Sequence, residues 1–164
     1  MRSPRLVCVM GVAGCGKSTI GQGVAAGLGA AFLEADALHP PSNIAKMSAG
    51  TPLTDEDRWP WLDAIAAAAP KAGRAVIACS ALRRAYRERL AAGAGEPIFF
   101  VHLTGSREEI AKRMTLRTGH FMPTALIDSQ FATLEPPGAG EPHLALDVAL
   151  PADALIEKAL EELR

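Results

Sequence analysis

The stretch Gly11-Val12-Ala13-Gly14-Cys15-Gly16-Lys17-Ser18 has the spacing G-x-x-x-x-G-K-[ST], and its surroundings decide the fold. An apolar run, Leu6 to Met10, leads into it and a helix-like segment, Lys17 to Leu28, leads out of it. A strand, a loop and a helix in that order are the context in which this pattern cradles phosphate. Glycine at positions 11, 14 and 16 lets backbone N–H groups turn inward on phosphate oxygens, and the following helix offers the positive end of its dipole to the same anion. Lys17 then reaches the β- and γ-phosphates of a nucleoside triphosphate, and Ser18 ligates Mg²⁺. The predicted nucleotide-binding set is Gly11, Gly14, Cys15, Gly16, Lys17, Ser18 and Thr19, with Cys15 and Thr19 serving mainly as structural loop and helix residues.

Outward from the loop, short apolar runs alternate with longer helix-like segments, the pattern of a parallel sheet covered by helices on both faces. Strands are predicted at Leu6 to Met10, Ala31 to Glu34, Ala75 to Cys79, Ile98 to Leu103 and Leu144 to Leu150. Helices are predicted near Lys17 to Leu28, Asn43 to Ser48, Asp55 to Ala69, Leu82 to Ala92, Arg107 to Thr118, Thr124 to Leu134 and Ala152 to Leu163. Ser106 before Arg107-Glu108-Glu109 and Thr54 before Asp55-Glu56-Asp57 carry helix-start signals. The expected fold is α/β, a P-loop NTPase domain with a five-stranded parallel sheet flanked by helices. One domain over residues 1–164 accounts for the whole length.

Composition narrows the function. Hydrophobic residues make up 49% and charged residues 21%, which is ordinary globular usage. A formal charge of −1 provides no field to recruit nucleic acid or an anionic membrane, so anion binding is expected to be local. Cys8, Cys15 and Cys79 are odd in number and lack C-x-x-C spacing, which argues against a disulfide framework or a zinc site and for a reducing, cytoplasmic setting. No apolar run approaches the ~20 residues that span a bilayer.

A phosphate-binding loop establishes nucleotide use but not the reaction. Motors and assembly ATPases carry a strand ending in Asp; the strand taken as central here ends Ile77-Ala78-Cys79-Ser80. A GTP switch carries Asn-Lys-x-Asp, which does not occur in this chain. Positive evidence for a small-molecule kinase follows the second predicted strand, in Phe32-Leu33-Glu34-Ala35-Asp36. Carboxylates at i and i+2 at the carboxyl end of a strand put Glu34 beside the metal and turn Asp36 toward the cleft, where Asp36 can accept a hydroxyl proton.

Three segments resemble the gluconate kinases: AAFLEADALHPPSNIAKMSAGTPLTDEDRWPWL from Ala30 to Leu62, ACSALRRAYRERL from Ala78 to Leu90, and GHFMPTALIDSQFATLEPP from Gly119 to Pro137. The resemblance runs nearly end to end. It implies a fold like that of shikimate kinase and the nucleoside monophosphate kinases, with a lid near residues 113–125. It also implies transfer of the γ-phosphate of ATP to the 6-hydroxyl of D-gluconate, and a homodimer. One departure is Glu34, where most of the family is expected to have Asp; its extra methylene suggests support of the metal through water.

The family pattern assigns further residues. Arg58 matches the D-D-R-x-P-W-L element, here Glu56-Asp57-Arg58-Trp59-Pro60-Trp61-Leu62, and suits a bidentate clamp on the gluconate carboxylate; the competing reading is a partner for Asp55 or Asp57 within its own helix. His39 is implied as a substrate hydrogen-bond partner, against a capping or packing role. Arg83 and Arg87, one helical turn apart, could line the sugar-acid pocket. Arg113, Arg117 and His120 fall in the expected lid, with His120 expected among the substrate-binding residues, Arg113 packing on adenine and Arg117 reaching phosphate; the competing reading of the two arginines is a basic helix face paired with Glu109. The expected catalytic set is Lys17, Asp36 and Arg117, with Ser18 and Glu34 as the metal residues. A nucleotide-binding regulatory protein and a kinase of another small acid, such as shikimate, remain the alternatives.

Overall fold

The computed structural model describes residues 3–118 and 124–164. Its frame is a five-stranded parallel sheet in the order β2-β3-β1-β4-β5, with β1 at Leu6–Met10, β2 at Ala31–Glu34, β3 at Ala75–Ala78, β4 at Ile98–Thr104 and β5 at His143–Asp147. β1 takes the central position, and β3, expected there from the sequence, lies beside it. All five residues of β1 are fully buried because helices cover both faces of the sheet, which is why this strand reads as a continuous apolar run and does not alternate.

Side-chain alternation along β1 divides the core into two layers. Val7 and Val9 pack with Val24 of α1 (Lys17–Leu28) and with Leu155, Ala159 and Leu163 of α7 (Ala152–Leu163). Leu6, Cys8 and Met10 pack on the other side with Leu62 and Ile65 of α3 (Asp55–Ala68) and with Tyr86 and Leu90 of α4 (Arg84–Ala94). The remaining helices are α2 (Pro41–Ser48), α5 (Arg107–Thr118) and α6 (Thr124–Thr133).

Element ends shift where side chains take over from periodicity. Thr54 and Asp57 form a reciprocal capping box that starts α3 at Asp55. α4 begins at Arg84, two residues later than expected, because the extended Arg83 caps it and the Leu82 carbonyl accepts from Glu135 N. β5 stops at Asp147, short of Leu150, where Asp147 Oδ1 accepts from Ala149 N at 2.8 Å. A 3-10 turn at Ala35–Leu38, absent from the sequence reading, follows β2 directly and carries Asp36.

Candidate active site

The loop between β1 and α1 lies at the carboxyl edge of the central strand, where open parallel sheets bind ligands. Gly11 has φ +151, and a Cβ added there would stand 2.8 Å from the Leu103 carbonyl oxygen and 2.7 Å from Cys15 Sγ, so the close approach of backbone requires glycine. Gly16 caps α1 in the left-handed region at φ 94, ψ 22. Gly11 N donates to Ser80 O at 3.3 Å, which moors the loop to the end of β3. Lys17 Nζ donates to Val12 O at 3.1 Å, and Ser18 Oγ donates to Glu34 Oε2. Cys15 is buried, and burial pushes its thiol up, against the pull of Lys17; the residue packs the loop and is not a reactive thiolate.

A cavity of about 670 Å³ opens against this loop. Lys17 and Ser18 line it together with Asp36, His39, Arg58 and Trp61. The volume is that of a site for one small molecule. Arg58 Nη1 donates to the Leu53 carbonyl at 2.8 Å and to Tyr86 Oη at 3.1 Å, and stands 3.9 Å from Asp55 Oδ1, so the helical partner weighed in the sequence and the cavity position coexist. Tyr86 donates to Asp55 Oδ1; burial and that bond push its hydroxyl up to about 12, so it remains a neutral support for Arg58. His39 stacks on Trp61 with ring centroids 4.1 Å apart and planes 12° apart, and Trp61 Nε1 donates to Ala35 O at 2.7 Å.

Other predicted residues lie elsewhere. Arg87 is 1% exposed and forms an ion pair with Glu141, Nε to Oε1 at 2.7 Å, while its Nη1 donates to Ala81 O at 2.8 Å. It is committed to the 135–142 loop and does not line the cavity. Arg83 is exposed at the cap of α4, also outside the lining. Arg113 donates to Glu109 at 3.1 Å and to the Val148 carbonyl, and lines a smaller recess of about 350 Å³ together with Gly14, Cys15, Gly16 and Thr19 of the predicted nucleotide set and with Ala152 and Leu155 of α7. The side chain of Arg117, and His120 with most of the expected lid, lie outside the described residues.

Several residues at the site escaped the sequence reading, among them Ser48, Thr51, Ser80 and Ser129 in the cavity lining. Gln130 on α6 lines the cavity and accepts from Ala13 N in the loop at 3.2 Å. Asn43 on α2 is 1% exposed and bonds His39, which precedes that helix in an extended conformation, so no helical spacing marked the pair in the sequence.

The acceptor side separates this site from a switch or a motor, because the loop lysine faces a cavity of metabolite size that a carboxylate and an arginine also line. The class is therefore a P-loop kinase of small molecules. The family described as "AAA domain" matches residues 6–137. The chain is 48% identical to a gluconokinase of Gluconobacter oxydans, over 96% of this chain and 90% of that one. It is 41% identical to the thermoresistant gluconokinase of Escherichia coli, over 95% and 91%. The crystal structure of a gluconokinase from Sinorhizobium meliloti superposes with a TM-score of 0.93 at 48% identity, covering 99% of this chain and 93% of that one. The chain belongs to the gluconokinase family.

Proposed function

We propose that this kinase transfers the γ-phosphoryl group of ATP to the 6-hydroxyl of D-gluconate. The observation that carries the reading is the shared cavity lined by Lys17, Asp36 and Arg58; in this reading they serve as the cation for the phosphates, the proton acceptor and the carboxylate clamp. The backbone N–H groups of the loop and Lys17 hold the triphosphate. Asp36 orients the 6-hydroxyl and accepts its proton as the new O–P bond forms. Arg58, buttressed by the Leu53 carbonyl and Tyr86, presents its guanidinium to the gluconate carboxylate.

Ser18 and Glu34 fit a hard divalent cation, since a hydroxyl that donates to a carboxylate keeps its lone pairs free for a metal. No group of three or more His, Cys, Asp or Glu that could hold a metal ion occurs among the described residues, so phosphate oxygens and water would complete the shell. Bound there, Mg²⁺ would neutralise charge on the phosphates. A lid near residues 113–125, with Arg117 acting on phosphate, and a homodimer complete the proposal on the strength of the family resemblance. Buried, unpaired Cys8, Cys15 and Cys79 support a reducing, cytoplasmic setting, and among the described residues no helix is long and apolar enough to cross a membrane.

Arg58→Lys tests the clamp. Lysine keeps the charge and loses the fork, so the KM for gluconate should rise about tenfold or more while the KM for ATP stays within about twofold. Equal effects on both substrates, or none, would place the clamp elsewhere.

A further inference from the structure

Asn43 is a buried polar residue whose donors are both committed. Its Nδ2 lies 2.9 Å from the Asp57 carbonyl oxygen and 3.2 Å from His39 Nδ1. A carbonyl oxygen only accepts, so the amide nitrogen must face Asp57, and the second N–H of the same nitrogen is what His39 Nδ1 meets. His39 Nδ1 is therefore an acceptor, and the proton of the neutral ring sits on Nε2. The anchor is rigid, since Asp57 belongs to the capping box of α3 and takes Lys46 Nζ at 2.7 and 2.9 Å. Trp61 stacked on the ring fixes its plane.

We propose that Asn43 is a positioning residue that holds His39 in the Nε2–H form, making His39 a hydrogen-bond donor to an oxygen of the acceptor substrate and removing it as a competing base. The inference rests on the gluconate reading only in naming that substrate. Protonation of the ring would turn Nδ1–H against the Asn43 N–H, a donor-to-donor clash, so Asn43 also opposes the cationic form. The charged groups facing the ring are Asp36 from the 3-10 turn and Arg58 from α3. Burial is the largest influence and lowers the pKa of His39, Arg58 lowers it further, and Asp36 opposes them. With His39 held as a donor, Asp36 is, among the described residues, the one carboxylate lining the cavity that can take the hydroxyl proton. An Nε2–H donor suits a sugar-acid hydroxyl or carboxylate oxygen equally, and its effect falls on binding more than on turnover.

The test is a ¹⁵N–¹H correlation spectrum of the histidine-labelled protein near pH 7, with the His39 signals assigned by their loss in His39→Gln. Expected is an unprotonated Nδ1 and a protonated Nε2; a protonated Nδ1, alone or in a cationic ring, overturns the proposal whatever the substrate proves to be. In Asn43→Leu the tautomers should mix, and the KM for gluconate should rise about fivefold, with kcat and the KM for ATP within about twofold. Asn43→Asp puts an acceptor against Nδ1 and should raise the titration midpoint of His39. A folded Asn43→Leu protein that keeps a pure Nε2–H ring overturns the role of Asn43. Should these variants not fold, the wild-type spectrum decides. An absence of gluconate turnover by the wild-type protein would refute the substrate and leave the tautomer result standing.

Discussion

Gly11 and Lys17 show how little freedom the phosphate loop has. The Leu103 carbonyl beneath Gly11 excludes any side chain, and the lysine projects from the first turn of a helix whose N-terminus already favours an anion. The backbone cradle survives when the lysine is removed, so Lys17→Ala should retain part of its ATP affinity while kcat falls below about a tenth of wild type, a loss above ~1.4 kcal/mol. Retention of more than that would show that Lys17 does not act on the transferring group. Asp36→Asn keeps the shape of the carboxylate and loses its basicity, so kcat should drop by roughly 10² with a smaller change in the KM for gluconate. A raised KM at level kcat would make Asp36 a binding group only. Lys17, Ser18 and Asp36 were legible as candidates because their signals are local: fixed spacing in a loop, and a carboxylate just past a strand. Asn43 was not, because its role depends on a histidine on a preceding turn and on a carbonyl 14 residues ahead on another helix.

Among the elements, α4 illustrates where spacing misleads. Arg83 and Arg87 share a helical face by periodicity, but periodicity does not say what lies opposite that face. The structure brings Glu141, 54 residues further along the chain, against Arg87, and the same carboxylate accepts from Gly138 N at 3.1 Å, so the turn-rich 135–142 loop is pinned to the helix. Burial raises the Glu141 pKa, but the Arg87 guanidinium and the Gly138 N–H outweigh it and hold the carboxyl below its usual range. Arg87→Met leaves that carboxylate buried and unpaired and should destabilise the fold by about 3–5 kcal/mol, with the KM for gluconate within about twofold in the protein that folds. Because the folded pKa of Glu141 is depressed, its contribution is complete above the unfolded carboxylate value, ~4.3, and is lost as pH falls through the lower folded value. The melting-temperature gap between wild type and Arg87→Met should therefore narrow below about pH 4. A raised KM at unchanged melting temperature would restore Arg87 to the substrate site. The exposed Arg84–Glu88 pair on the same helix, 3.2 Å apart, is the solvated contact that i,i+4 spacing usually marks.

At the scale of the whole molecule the sequence was most readable, because a parallel sheet buried on both faces leaves continuous apolar runs, and each helix between them must cover one face. The strand order was less so: the crossover that makes β1 central is set by packing between distant elements. That crossover brings the loop after β1 and the turn after β2 to one edge, and the chemistry depends on this convergence. The most direct measurement is ADP release from ATP by the purified protein with gluconate, shikimate, glucose and nucleoside monophosphates in turn, with the gluconate product located by phosphorus–proton correlation. Expected is efficient turnover with gluconate alone, phosphate appearing on the 6-oxygen, and little with glucose, which lacks the carboxylate that Arg58 would hold. Turnover favouring shikimate or a nucleoside monophosphate, or none with any acceptor, would contradict the account.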